Sequence, residues 1–520
     1  GRILDRNRFV MTNTIDLYAN YNRKIGEDFE LGAMVGHSFL KTRSRTSYID
    51  AQNYPSPAFD VASVAANIVD ASAGLSEYAI ESYFARLSLA YKDRYVVNAT
   101  IRTDGSSRFA PDCRWGWFPS VSVGWNVSNE SFWNAEKTDL KIRASYGRTG
   151  NQDGISNYGW QALISGGVNY GGQSGIAISS SGNDRLTWET ADQYNAGFDL
   201  SFLGGKINMI ADVYLKNTNN LLYSKPVHAT TGETSILSNI GSMRNKGVEF
   251  TINTHLNLGK VLWSSSFNIA RNVNKLTSLL EDDLLSIGAN RALKLGRTVG
   301  SWYIFRTDGI YQYDGEVPQA LYDKGVRAGD VKYWDRNGDG NITDDDRIVT
   351  GNPNPKFSGG WNNTFKYKGL ELSLFFTYSY GNDVYASWMI PGSKPGHTRS
   401  LLKAYADNRW TGPGTSDKYP RAIYSYSGWN GKNSTMYLTD GSFIRLRSVT
   451  LGYTFPQRLV SKIHLKGLRV YAQGDNVFLC SRYPGWDPET SVNLDPRFYG
   501  EDNDGVPQPR IFKLGVNITF

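Results

Sequence analysis

The chain has 520 residues, and its 56 Lys and Arg against 49 Asp and Glu leave a formal charge of +7, small for this length and without the basic block that would track nucleic acid. Only 40% of residues are hydrophobic and mean hydropathy is −0.43, yet 32 Tyr, 23 Phe and 14 Trp stand beside 53 Gly. No apolar run approaches the ~20 residues of a membrane helix, so any membrane crossing must be made by strands.

The sequence opens Gly1-Arg-Ile-Leu-Asp5 without an initiator Met or a signal peptide, so a further N-terminal part is expected. Period-2 alternation then predicts about fifteen strands, many longer than the usual 5–6 residues. In one hairpin Tyr83, Ala85, Leu87, Leu89 and Tyr91 lead into a turn at Lys92-Asp93-Arg94, and Tyr95, Val97, Ala99 and Ile101 lead out. In another, Tyr194, Ala196, Phe198, Leu200 and Phe202 turn at Gly204-Gly205 and return through Ile207, Met209, Ala211, Val213 and Leu215. The last residues alternate Phe512, Leu514, Val516, Ile518 and Phe520 with Lys513, Gly515, Asn517 and Thr519. One apolar and one polar face per strand suits lipid on one side and a wet lumen on the other.

Tight turns are expected near 24–28, 92–94, 203–206, 257–260 and 366–369, alternating with long segments at 45–78, 150–186, 218–242, 273–355, 381–441 and 479–508. Short periplasmic turns and long extracellular loops are the plan of an outer-membrane barrel. The predicted fold is therefore all-β, a transmembrane antiparallel β-barrel. Bacterial single-chain barrels have an even strand number, so an odd count again points to missing strands. Ending on an aromatic, Phe520, matches a C-terminal barrel-assembly signal.

Eight segments in order resemble the SusC/RagA family of TonB-linked outer-membrane transporters. They are Arg102–Phe109 with Arg114–Ser120, Leu140–Gly147 with Thr149–Asn151, Leu186–Thr190, and Asn239–Gly241. Asn245–Glu249, Gly351–Lys356, Asp440–Leu446 and Gly485–Glu489 complete them. The resemblance implies a 22-stranded barrel of which this chain is the C-terminal portion, with the plug, the TonB box and roughly the first seven strands absent. It implies import of oligosaccharide or peptide across the outer membrane, a SusD-like surface lipoprotein as lid, and energy from a TonB-ExbB-ExbD complex. A passive porin, a siderophore-type receptor or a soluble glycan-binding β-protein are the competing readings.

Within the long 273–355 segment, Asp335, Asn337, Asp339, Asn341 and Asp346 fall at calcium-loop positions, with Gly340 at the sharp turn. Calcium in a structural role is expected there, although the last position is Asp rather than the longer Glu. An acidic turn held by Asx bonds is the plainer alternative. Loop aromatics, Trp160, Trp410 and Trp429 foremost, with Tyr170, Trp302, Trp334, Trp388, Trp486 and Tyr499, offer faces for cargo or for packing loops together. No catalytic residues are expected. His37, His228, His255, His397 and His464 are scattered, and Cys113 and Cys480 make neither a disulfide framework nor a metal site.

Overall fold

The computed structural model describes residues 1–133, 138–228, 230, 233, 235–279, 284–392, 400–423, 428–491, 493 and 495–520. Fifteen strands follow one another in a single antiparallel order: β1 Arg2–Ile25, β2 Phe29–Gln52, β3 Asn67–Tyr91, β4 Tyr95–Ser106, β5 Trp115–Asn126, β6 Thr138–Asn151, β7 Glu189–Phe202 and β8 Ile207–Asn219. The order continues with β9 Ser242–Leu258, β10 Val261–Ser278, β11 Phe357–Tyr367, β12 Leu370–Tyr380, β13 Phe443–Thr454, β14 Gly467–Ser481 and β15 Ile511–Thr519. The five expected tight turns all occur. Leu203, Gly204 and Gly205 take positive φ (55°, 66° and 80°), as do Lys92 and Asp93 (both 52°), which the tight reversals require.

Between these turns lie 53–66, 107–114, 152–188, 220–241, 279–356, 381–442 and 482–510. Two boundaries differ from expectation. The 45–78 segment shrinks to 53–66 because β2 and β3 run on to Gln52 and back from Asn67, and the loop expected at 273–355 begins only after Ser278. Residues 45–52 mix polar and apolar side chains on both faces, Tyr48, Ile49 and Ala51 among Arg45, Ser47 and Asp50, so pairing continues where clean alternation has ceased.

The chain divides into two compact units. The first comprises Gly1–Trp133, Lys141–Ala196 and Leu215–Met243; the second comprises Asn134–Leu140, Gly197–Tyr214 and Arg244–Phe520. In the first unit, register aligns the apolar rows of β2 to β5. Leu31, Leu89, Val97 and Val123 share one row, Ala33, Leu87, Ala99 and Val121 the next, and Val35, Ala85, Ile101 and Pro119 the third. Aromatic bands bound these rows. At the short-turn end Phe29, Tyr91, Tyr95 and Trp125 stand in sequence, with ring centroids 4.5, 6.4 and 6.3 Å apart. Toward the other end His37, Tyr83 and Trp115 do the same at 4.8 and 6.1 Å. From Tyr91 to Tyr83 is about 27 Å along the strand, or about 20 Å in height at a barrel's tilt, close to the apolar band between the two girdles of an outer-membrane barrel.

The opposite face is polar. Ser88 donates to Asn98 Oδ1 (2.8 Å), which in turn donates through Nδ2 to Ser122 (3.4 Å), and Ser38 donates to Asp16 (2.5 Å). Glycine has a packing role here that alternation does not reveal. Gly36 is paired with Phe84, Gly105 with Trp115 and Gly515 with Tyr471, and each ring lies where the glycine's Cβ would be. The aromatic folds over its bare partner, the geometry by which aromatics rescue strand glycines.

In the second unit, two polar residues sit opposite one another on the apolar face, Ser265 of β10 and Asn363 of β11. Both are buried by flanking indoles that also satisfy them. Trp361 Nε1 donates to Ser265 Oγ (3.0 Å) and Trp263 Nε1 to Asn363 Oδ1 (3.1 Å). Without these donors two polar groups would be left in hydrocarbon.

Candidate functional site

The long connections are built structures, and the sequence segments that resembled a family meet there in pairs. In the first unit Phe109, Phe118, Ile155, Leu186 and Trp188 form a buried cluster, with Trp188 Nε1 donating to the Arg114 carbonyl at 2.9 Å. Asn239 closes it by mimicking a backbone partner: its side chain accepts from the Thr187 amide (2.8 Å) and donates to the Thr187 carbonyl (2.9 Å).

In the second unit, 279–356 carries a small sheet of Leu284–Ile287, Arg291–Lys294, Trp302–Phe305 and Arg347–Thr350. Arg291 is wholly buried in it. Its guanidinium lies 4.1 Å from the Trp302 ring centroid, donates to the carbonyls of Gly300, Phe498 and Tyr499, and stands 3.8 Å from Glu501. Burial pushes this guanidinium down to about 10, against the pull of Glu501. Three carbonyls and one distant carboxylate thus hold segment 498–501 on the sheet. Beside it the Tyr483 hydroxyl donates to Asp502 (2.5 Å) and accepts from Trp388 Nε1 (3.0 Å); burial, then the Asp502 bond, raises the phenol's pKa.

The root of segment 482–510 is clamped to β13. Pairing with β12 skips Arg447, which is therefore the extra residue of a bulge, and the bulge re-aims neighbouring side chains. Arg445 pairs with Asp487, both buried, and Arg447 pairs with Glu489. Arg445 Nε also lies 2.7 Å from Glu489 Oε2, at an angle too bent for a hydrogen bond. Asp487 further accepts from the amides of Glu489 and Gln508, both at 3.0 Å. The sequence carries one signal for this clamp, an Arg-x-Arg on a strand whose alternation sends both side chains to one face.

The other expected residues fall as follows. Trp410 and Trp429 pack against the buried cluster of Phe305, Tyr311, Val331 and Tyr333 in the 279–356 connection, donating to Gln312 Oε1 (3.2 Å) and the Val331 carbonyl (2.9 Å). Trp160 donates to the Ser107 carbonyl at 3.3 Å. All three are half-buried and join loop to loop, whereas Tyr170 and Trp486, 91% and 82% exposed, present their rings to solvent. Cys113 and Cys480 are both free, and His397 lies outside the described residues.

In the 335–346 loop Asp335 accepts from the amides of Gly338 and Gly340 (both 2.7 Å), and Asp339 accepts from the Asn341 amide (2.7 Å). Asn341 Oδ1 receives Lys324 (2.7 Å). Asp346, fully buried, accepts from the amides of Arg336 (2.8 Å) and Thr343 (2.7 Å) and completes a capping box with Thr343. These are the bonds of an acidic turn. Among the described residues no three His, Cys, Asp or Glu side chains converge as a metal-ligand group. Each bonded carboxylate oxygen still keeps a lone pair for a cation.

The family model for the TonB dependent receptor-like β-barrel matches residues 3–477. The chain is 30% identical to TonB-dependent receptor P3 of Formosa agariphila, over 98% of this chain and 52% of that protein. It is 29% identical to TonB-dependent receptor SusC of Bacteroides thetaiotaomicron, over 99% of this chain and 51% of that protein. The structure of the RagAB peptide transporter superposes with a TM-score of 0.86 at 23% identity, covering all of this chain and 56% of that one. The chain thus spans about half the length of the curated relatives it matches. With strands that alternate apolar and polar, two aromatic bands and a family model covering most of its length, this chain belongs to the TonB-dependent receptor-like β-barrel family, as a SusC/RagA-type protein of the bacterial outer membrane.

Proposed function

We propose that the chain supplies barrel strands to an importer of oligomeric nutrients, oligosaccharide or peptide, driven by a TonB-ExbB-ExbD complex and covered by a SusD-like surface lipoprotein. The observation that carries the reading is the division between minimal turns, such as 26–28, 259–260 and 368–369, and the folded connections 279–356, 381–442 and 482–510. With the turns in the periplasm, the built connections stand outside, where cargo and a lid would meet them. Polar inner faces suit a hydrated passage. Cargo recognition would fall to solvent-facing rings such as Tyr170 and Trp486, with Trp160, Trp410 and Trp429 setting the loops that carry them. Phe520 is proposed to serve barrel assembly.

The test is uptake of labelled oligosaccharides and oligopeptides by cells carrying or lacking the intact protein, with and without TonB. Loss of uptake in both deletions supports the reading. Uptake that needs the protein but not TonB would indicate a passive porin, and loss of growth only under iron limitation a siderophore receptor. Recovery of the lipoprotein with the detergent-extracted protein tests the lid.

For the 335–346 loop the order of oxygen-bearing residues supports calcium as a structural ion, held by Asp335, Asn337, Asp339, the Asn341 carbonyl and Asp346. Proteolysis of this loop is expected to slow with calcium and quicken with EGTA. The same susceptibility in both, or a calcium response kept by Asp335→Ala/Asp339→Ala protein, would end the calcium assignment.

A further inference from the structure

The face of β2 that carries Ala33, Val35 and His37 does not end at the second aromatic band. Past Phe39 it turns cationic, with Lys41, Arg43 and Arg45 at every second position, all exposed. Register places Lys41 between Asn13 and Ala79, Arg43 between Met11 and Glu77, and Arg45 between Phe9 and Leu75. Glu77 is the one carboxylate in those rows, 3.4 Å from Lys41 and 3.2 Å from Arg43. One acid against three bases leaves a net positive strip, and Arg45 has no ion-pair partner among the described residues. The other face of the same stretch carries Thr12, Thr42, Ser44 and Arg8, bonded to one another. The cations therefore stand on the outward face, continuous with the apolar rows.

Their height identifies what they meet. Two to six residues past Phe39 is about 7–20 Å along the strand, less in height at a barrel's tilt. That is the level at which acyl chains give way to headgroups. β2 is paired on both sides by β1 and β3, so the cations are not there to blunt a free edge. Below them Ile15, Leu17 and Val35 are 57–63% exposed, an apolar surface for chains, and Phe9 and Leu75 flank Arg45.

We propose that Lys41, Arg43 and Arg45 bind the phosphorylated headgroup of an outer-leaflet glycolipid of the lipid A class, with phosphates on the cations and acyl chains on the apolar rows beneath. Guanidinium groups suit phosphate oxygens through paired N–H donors. The inference rests on the long-connection end facing outward.

The test uses the full-length protein extracted from outer membranes in mild detergent, with co-purified lipid A quantified by mass spectrometry. Retention is expected to fall about fivefold for each cation replaced in a Lys41→Gln, Arg43→Gln, Arg45→Gln series. Glu77→Gln, which removes the competing acid, should increase it. Added lipid A should raise the unfolding temperature of the native protein and not of the triple variant. Dephosphorylated lipid A and inorganic phosphate should do neither. Equal retention by the triple variant, or equal protection by either control, overturns the proposal. Labelling of a Gly171→Cys variant on intact cells reports orientation separately. A labelled loop with unchanged lipid retention sinks the lipid strip alone, and an unlabelled loop sinks the outward placement itself.

Discussion

The indole bracket around Ser265 and Asn363 makes a quantitative claim about polar groups on a lipid-facing surface. Trp361→Phe keeps most of the ring and deletes the N–H that reaches Ser265 Oγ at 3.0 Å. An unsatisfied buried hydroxyl costs about 1–3 kcal/mol, while side-chain hydrogen bonds within membranes couple by about 0.6–2 kcal/mol. We expect Trp361→Phe to lower stability by about 1.5 kcal/mol, with about 1 kcal/mol of that specific to the lost bond. Ser265→Ala removes the acceptor together with its need for a donor, so Trp361→Phe should cost only about 0.5 kcal/mol in that background. The assay is a double-mutant cycle measured by denaturant unfolding of the protein in lipid vesicles. A coupling below about 0.3 kcal/mol would refute the bracket and reduce both tryptophans to surface area. A parallel cycle on Trp263→Phe and Asn363→Leu should give a similar coupling, because the geometry is reciprocal.

Three further outcomes are expected. Asp487→Ala should leave buried Arg445 with Glu489 alone and orphan the Glu489 and Gln508 amides, costing about 3–5 kcal/mol and opening segment 482–510 to protease; cleavage equal to that of the unaltered protein would contradict the clamp. Gly515→Val should cost about 1–3 kcal/mol by displacing the Tyr471 ring, and Tyr471→Ala should relieve part of that cost when unfolding midpoints are compared. Arg497 hydrogen-bonded to Asp495 holds that carboxyl below its usual 3.8. The unfolded segment therefore takes up the proton first as pH falls, and the turn's contribution, complete above 3.8, is lost as pH drops through the folded value. Proteolysis of residues 493–498 across pH 2–5 with an acid-active protease should show this, and Arg497→Gln should abolish it.

Strands and tight turns were legible because a half-wet strand writes its period of two into the sequence, as in Tyr83 to Tyr91. The signal fails where polar and apolar side chains are mixed on both faces. Residues 45–52 read as loop although β2 continues through them in register with β1. What the loops contain was less visible. Trp410 and Trp429 read more readily as loop packing than as cargo platforms, but their indole acceptors and buried neighbours could not be named from the sequence. Arg291, Arg445 and Arg447 looked like ordinary charges because their partners, Glu501, Asp487 and Glu489, lie about 40 residues away or far more. Arg445 and Arg447 both reach Glu489, as their spacing of two implies, and what stayed hidden was the acidic segment they hold.

The rings folded over glycines also bear on how such a sequence can drift. Gly36 and Phe84, or Gly105 and Trp115, occupy one volume between two positions. A larger residue at the glycine is blocked while its aromatic partner remains, and losing the aromatic first uncovers bare backbone. Inheritance at these sites should therefore run in couples, with the abundance of glycine and the abundance of aromatic residues rising or falling together.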